Sequence, residues 1–91
     1  MFRHLVFFKF NDPSDAPEAK RRLESMRGAV PSLRSLDVGI DTVGGARSWH
    51  MALDTRFDDL AAYEAYKTDP LHLEVLAWLK TVVDASATVD F

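Results

Sequence analysis

The chain has 91 residues, 47% of them hydrophobic, with 11 basic and 14 acidic side chains. This length predicts one domain over residues 1–91, and a net charge of −3 with dispersed Lys and Arg argues against a nucleic-acid surface. The absence of cysteine excludes disulfides, a thiolate nucleophile and a Cys-based metal site. No apolar run is long enough to span a membrane, and the first ten residues predict a strand rather than a signal peptide, so we expect a cytoplasmic protein without a membrane partner.

The opening segment FRHLVFFKF, at residues 2–10, is rich in β-forming side chains and predicts a strand. Alternation places His4 and Val6 on one face of this strand, and Leu5 and Phe7 on the other. Because both faces carry large apolar groups, we expect the strand to be buried on both sides. Helices of the same chain can cover one side, and the other side needs a second cover.

A helix is predicted next, with Asp15 as its N-cap and Pro31 just beyond its end. Its apolar residues recur at helical spacing and form one stripe, consisting of Ala19, Leu23, Met26 and Val30. Residues 32–41 then alternate as a half-exposed strand, and a loop follows over residues 42–48. Residues 49–57 predict a third strand, with Trp49, Met51, Leu53, Thr55 and Phe57 on one face.

The last third of the chain contains a helical pattern that breaks and resumes. Asp58 is predicted to cap a helix that ends at Asp69-Pro70, and a second helical run spans residues 70–83. The terminal segment ASATVDF, at residues 85–91, predicts a fourth strand. The order β-α-β-β-α-β predicts a ferredoxin-like α+β fold, with a four-stranded antiparallel sheet and helices on one face. A homodimer formed through the open sheet face would cover Leu5 and Phe7.

Several short features occur in an order and spacing that resemble a known family over essentially the whole chain. They are RHLVFFKF at 3–10, VPSL at 30–33, VGID at 38–41, Phe57, Tyr66, DPLH at 69–72 and VDF at 89–91. The family is the stress-responsive dimeric α/β-barrel (Dabb) domain family. The resemblance implies a ferredoxin-like protomer and the pairing of two protomers, through their sheets, into a dimeric α+β barrel.

The resemblance implies more about fold than about activity. Many members have no known activity and are linked to stress responses, which implies a domain of unassigned activity with a pocket for a small apolar or aromatic ligand. Some plant members are polyketide cyclases that use a Tyr and a His five intervening residues apart, a spacing matched by Tyr66 and His72. Their first-strand His matches His4. The alternative is therefore a cofactor-independent, cyclase-like lyase with His72 as general base and Tyr66 as carbonyl-polarising donor.

Whether the chain is an enzyme stays open in the sequence. A further alternative is a cofactor-free monooxygenase of the wider dimeric α+β barrel group, which rests on fold analogy alone. Two departures from the family also matter. Asp69 stands where the family pattern HPxH has its first His, and His50 is one residue out of phase with the third-strand His of the cyclases. His50 is therefore not included in the predicted site.

The two candidate catalytic residues each have a structural interpretation beside the chemical one. With Asp69 as N-cap, His72 is the third residue of its helix, where the helix dipole disfavours imidazolium and leaves a neutral base. It would otherwise be a partly buried residue at the joint between two helices. Tyr66 would donate a hydrogen bond to a carbonyl oxygen that becomes negative, or would serve as an aromatic core residue.

The residues expected to contact the ligand come from the first strand, the third strand and the last helix. They are His4, Val6, Phe8, Met51 and Trp78. The three His residues have no tight ligand spacing, so no metal site is predicted. The VGG segment at residues 43–45 lacks the surrounding spacing of a phosphate loop, and no cofactor is expected.

Overall fold

The computed structural model describes all 91 residues as a four-stranded sheet packed against three α-helices. The elements are β1 (Phe2–Phe10), α1 (Ala16–Glu24), β2 (Ser35–Ile40), β3 (Met51–Phe57), α2 (Leu60–Lys67), α3 (Pro70–Val82) and β4 (Val83–Asp90). The strand order is β2-β3-β1-β4, and every neighbouring pair is antiparallel. This arrangement confirms the predicted ferredoxin-like fold. None of the helices has the length and apolar character that crossing a membrane would need.

The inner face of the sheet forms the floor of the core. The register places Val6 opposite Leu53 on one side and opposite Thr88 on the other. Val6, Phe8 and Leu53 are buried beneath the helices. The apolar stripe predicted for the first helical segment is confirmed at Ala19 and Leu23, which α1 buries. The predicted helix end at Pro31 is wrong, because α1 ends at Glu24, and Met26 and Val30 are buried from the turns that follow it.

The outer face of the sheet has no covering element within the chain. Leu5 and Phe7 are only half-buried there, and Val89 is 55% exposed. The polar end of this face carries an ion pair in which Arg3 Nη2 lies 2.7 Å from Asp54 Oδ2. The outer face therefore consists of an apolar region beside a charged one.

Of the two predicted helix caps, one is confirmed and the other is wrong by one residue. Asp15 is the N-cap of α1 as predicted, although its side chain makes no capping bond, and a short 3₁₀ turn over Pro13–Asp15, capped by Asp12, precedes the helix. The residue that caps α2 is Asp59, whose carboxylate accepts a hydrogen bond from Ala62 N at 2.9 Å. Asp58 instead pairs with Arg34 of the segment before β2.

The predicted placement of Trp49 in the third strand, on the same face as Met51, is also wrong. Trp49 and His50 precede β3, and the backbone bend there interrupts the alternation that the sequence shows. The centroid of the Trp49 ring lies 5.0 Å from Nζ of Lys9, a β1 residue on the outer face, so Trp49 lies on the outer side of the sheet. His50 Nδ1 accepts a hydrogen bond from Phe10 N at 2.8 Å, which fastens this bend to the end of β1.

Candidate functional site

A cavity of about 460 Å³ lies between the inner face of β1 and β4 and the helices α2 and α3. This volume is in the range of sites for small organic molecules, which are mostly apolar with a few polar groups. The apolar part of its wall consists of Val6, Phe8, Leu23, Leu53, Val75, Leu76, Leu79 and Val83. Its polar part consists of His4, Tyr63, Tyr66, Lys67, His72, Lys80, Ser86 and Thr88.

The joint between α2 and α3 sets the geometry at one end of the cavity. Pro70 has no N–H, and Leu71 N donates to Asp69 Oδ1 at 2.9 Å instead of continuing the ladder of α2. The carbonyl of Lys67, four residues before Leu71, is therefore left without a helical donor. His72 supplies the missing donor, since its Nδ1 lies 3.2 Å from Lys67 O.

This hydrogen bond selects one tautomer of His72. A carbonyl oxygen only accepts, so Nδ1 must carry the proton and, in the neutral ring, Nε2 keeps a lone pair. Burial is the main cause that lowers the pKa of His72 below its usual value of 6.5, and the nearby His4 adds to this, while the bond to Lys67 O opposes it. His72 is thus a neutral base at neutral pH.

Tyr66 lies directly against His72, with their ring centroids 4.1 Å apart. It is only 2% exposed, and Phe57 packs on its other side with a centroid distance of 5.1 Å. Burial, followed by the proximity of Tyr63, raises the pKa of Tyr66 well above its usual range. The hydroxyl stays protonated and has no hydrogen-bond partner in the chain, so it is a donor available to the cavity.

His4 approaches the same end of the cavity from the sheet. Its Nδ1 lies 2.5 Å from Asp90 Oδ1, a carboxylate on the β4 residue paired with it in register. The Tyr63 ring covers the imidazole at a centroid distance of 4.8 Å. Asp90 accepts the Nδ1 proton of His4 and so fixes the orientation of the ring.

The structure brings together five of the seven residues that the sequence singled out. His4, Val6, Phe8, Tyr66 and His72 all line the cavity, and the other two do not. Met51 is buried in the core next to β2, away from β4. Trp78 turns toward α1, where the guanidinium of Arg22 lies 4.3 Å from its ring centroid. On α3 the cavity side is instead formed by Val75, Leu76 and Leu79.

Several cavity residues are not predicted by the sequence. They are Tyr63 and the polar residues of β4. Ser86 and Thr88 line the cavity beside Phe8 and Val6 because β4 pairs with β1, and Asp90 reaches His4 for the same reason. The ferredoxin-like plan implies this pairing, but only the register decides which alternate residues of β4 face inward.

The titratable groups do not form a metal centre. No set of three His, Asp or Glu side chains converges in the structure. The groups at the cavity end are instead a neutral imidazole, a phenol and a carboxylate-bound imidazole. This set can accept a proton at one point and donate a hydrogen bond at an adjacent one.

Comparison with known proteins identifies the family. A model of the stress responsive A/B barrel domain (Dabb) matches residues 2–91. The chain belongs to this family. The family resemblance read from the sequence is thereby confirmed. A stress-response A/B barrel domain-containing protein of Arabidopsis thaliana is 27% identical over 93 residues, covering 99% of this chain and 84% of the relative.

Similar solved structures agree with the fold. A dimeric, ferredoxin-like protein of unknown function from Bacteroides fragilis has a TM-score of 0.87 at 26% identity, covering 99% of this chain and 93% of the other. One from Thermobifida fusca, also described as dimeric and of unknown function, has a TM-score of 0.87 at 25% identity, covering 99% and 88%. These two structures support the ferredoxin-like fold, and both proteins are described as of unknown function.

Proposed function

We propose that this Dabb domain binds a small, largely apolar carbonyl compound in the cavity between its sheet and helices. One observation carries the proposal. The rings of Tyr66 and His72 are in contact at one end of the cavity, and neither the Tyr66 hydroxyl nor His72 Nε2 has a hydrogen-bond partner in the chain. A carbonyl oxygen would accept the tyrosine proton, and the apolar body would lie against Leu76 and Leu79. His4, Val6 and Phe8 would form the other wall.

The matching of polar and apolar surface supports this ligand class. A ligand that covered the Tyr66 hydroxyl without offering an acceptor would leave a donor unpaired, so an oxygen of the ligand at this position is favoured. The apolar side chains of the wall add to the free energy of binding in proportion to the apolar ligand surface that they cover. Ser86 and Thr88 add hydroxyls along β4 that can contact further oxygen atoms of the ligand.

Filling the cavity should abolish binding. We expect 4-phenyl-2-butanone, an apolar methyl ketone, to raise the unfolding free energy by about 1.4 kcal/mol at ten times its Kd. Leu76→Trp should lose this increment because the indole occupies the cavity, whereas Leu73→Trp, on the exposed side of α3, should keep it. Thermal unfolding with and without the ketone measures the effect. An increment unchanged in Leu76→Trp would place binding elsewhere.

A second candidate function is proton abstraction next to that carbonyl. The contact between the Tyr66 and His72 rings and the lone pair on His72 Nε2 favour it. Nε2 would take a proton from the α-carbon, the C–H electrons would form the enolate double bond, and the enolate oxygen would accept the Tyr66 hydrogen bond. Return of a proton to carbon restores the ketone, so the step needs no cofactor. The cyclase-like lyase chemistry would begin in this way.

Exchange of α-protons for deuterium tests the chemical step without requiring the natural substrate. In D2O, the protein should accelerate exchange of the α-protons of 4-phenyl-2-butanone, as measured by proton NMR. His72→Ala should remove the acceleration, and Tyr66→Phe should reduce it about 100-fold. His50→Asn, outside the cavity, should leave it unchanged. The rate should rise with pH as His72 loses its proton, with a midpoint below 6.5. If the wild type does not accelerate α-proton exchange, proton abstraction is contradicted and ligand binding remains the proposed function.

We further propose that two copies of the chain pair through the outer face of the sheet. The half-buried Leu5 and Phe7 and the exposed Val89 would become buried, and the description of the similar solved proteins as dimeric supports this. The inner face would remain free for a ligand. The proposed assembly is therefore a homodimer with one cavity in each protomer.

The solution mass at micromolar concentration tests the pairing. The wild type should have twice the mass of one chain by light scattering. Phe7→Glu should give a monomer, because a carboxylate in a dry interface has no partner. Val43→Glu, on an exposed loop, should stay dimeric. A monomeric wild type would contradict the proposal.

A further inference from the structure

The cavity wall has a charge pattern for which a neutral carbonyl ligand offers no counterpart. In a chain with 14 acidic and 11 basic side chains, none of the wall residues is acidic and two are lysines. Lys67 is engaged, since its Nζ lies 3.1 Å from Glu64 Oε2. Lys80 takes part in no ion pair. The exposed Lys80 is therefore the one lysine of the cavity wall without a carboxylate partner.

The separation of Lys80 and His72 along α3 sets the distance between the two polar ends of the cavity wall. The two residues are eight positions apart on α3, which corresponds to about 12 Å along the helix axis. They share the cavity side of the helix with Leu76 and Leu79, which lie between them. The wall thus runs from Tyr66 and His72, through the apolar Leu76 and Leu79, to Lys80 at the far end.

We propose that the ligand is an amphipathic organic anion whose acidic group pairs with Lys80 and whose carbonyl lies at Tyr66 and His72. This inference rests on the proposed function, and adds to it the ligand's charge, its orientation and the distance between its two polar ends. A ligand with an apolar chain between a ketone and a carboxylate fits all three parts of the wall. The hydroxyl of Ser86, beside Phe8 on β4, can donate to the same acidic group.

Lys80 also lies in the last turn of α3, where a cation interacts favourably with the helix dipole. That structural effect does not distinguish an anionic ligand from a neutral one. The decisive quantity is therefore the ratio of two affinities measured on the same protein variant, because a change in helix stability affects both affinities alike.

The experiment uses 9-oxodecanoate and its methyl ester, which share the ketone and the chain and differ in charge. We expect the wild type to bind the acid more tightly, by calorimetric titration at low ionic strength. Lys80→Gln should reduce this preference about fivefold, the effect of one exposed ion pair, and Lys80→Arg should restore it. Lys20→Gln, which removes the same charge from α1 outside the cavity, should not change it. Added salt should weaken the binding of the acid and leave the binding of the ester unchanged.

The outcomes separate the two proposals. Equal binding of acid and ester by the wild type would overturn the assignment of an anion and leave the carbonyl-binding cavity intact. A preference that Lys67→Gln removes and Lys80→Gln does not would overturn the orientation. Failure of both compounds to bind the wild type would overturn this inference together with the proposed function.

Discussion

The break between α2 and α3 is the constraint on which the site depends. A proline without an N–H and an aspartate that caps the following turn together end one helix and begin the next. The carbonyl of Lys67, which a continuous helix would have satisfied, then becomes the acceptor for His72 Nδ1. A local rule of helix termination therefore determines which nitrogen of an imidazole carries the proton. The same break places Tyr66 in the last turn of α2, against that imidazole.

The sheet supplies the rest of the site through its pairing. Because β4 lies beside β1, residues that are 86 positions apart in sequence, His4 and Asp90, meet on adjacent strands. The inner face thereby becomes a wall with a fixed imidazole and two hydroxyl groups. The outer face instead carries half-buried apolar side chains and the Arg3–Asp54 ion pair. A ligand on one face and a second protomer on the other are compatible because they use different sides of the same strands.

The sequence was most informative where the pattern is local. The first strand, the helical spacing of Ala19 and Leu23, and the Asp69-Pro70 cap follow from alternation, helical periodicity and proline chemistry, and all three are present in the structure. The end of α1 at Glu24 carries no such signal, since the proline that predicts a stop stands seven residues later. Trp49 was misplaced because a bend before β3 breaks the alternation. Asp58 is not the cap of α2 because its neighbour Asp59 takes that position, and only the backbone conformation selects between adjacent aspartates. The positions of Tyr63, Lys80 and Asp90 depend on register and helix facing, which no short motif encodes.

The central claim is that the helix break holds His72 as a neutral base whose Nε2 is free for a ligand. Long-range nitrogen–proton correlation NMR of the imidazole at pH 7 tests this claim most directly. The account predicts a neutral ring with its proton on Nδ1 and an unprotonated Nε2. A ring protonated on Nε2, or an imidazolium at that pH, would contradict it, because neither form offers a lone pair at Nε2 to accept a proton.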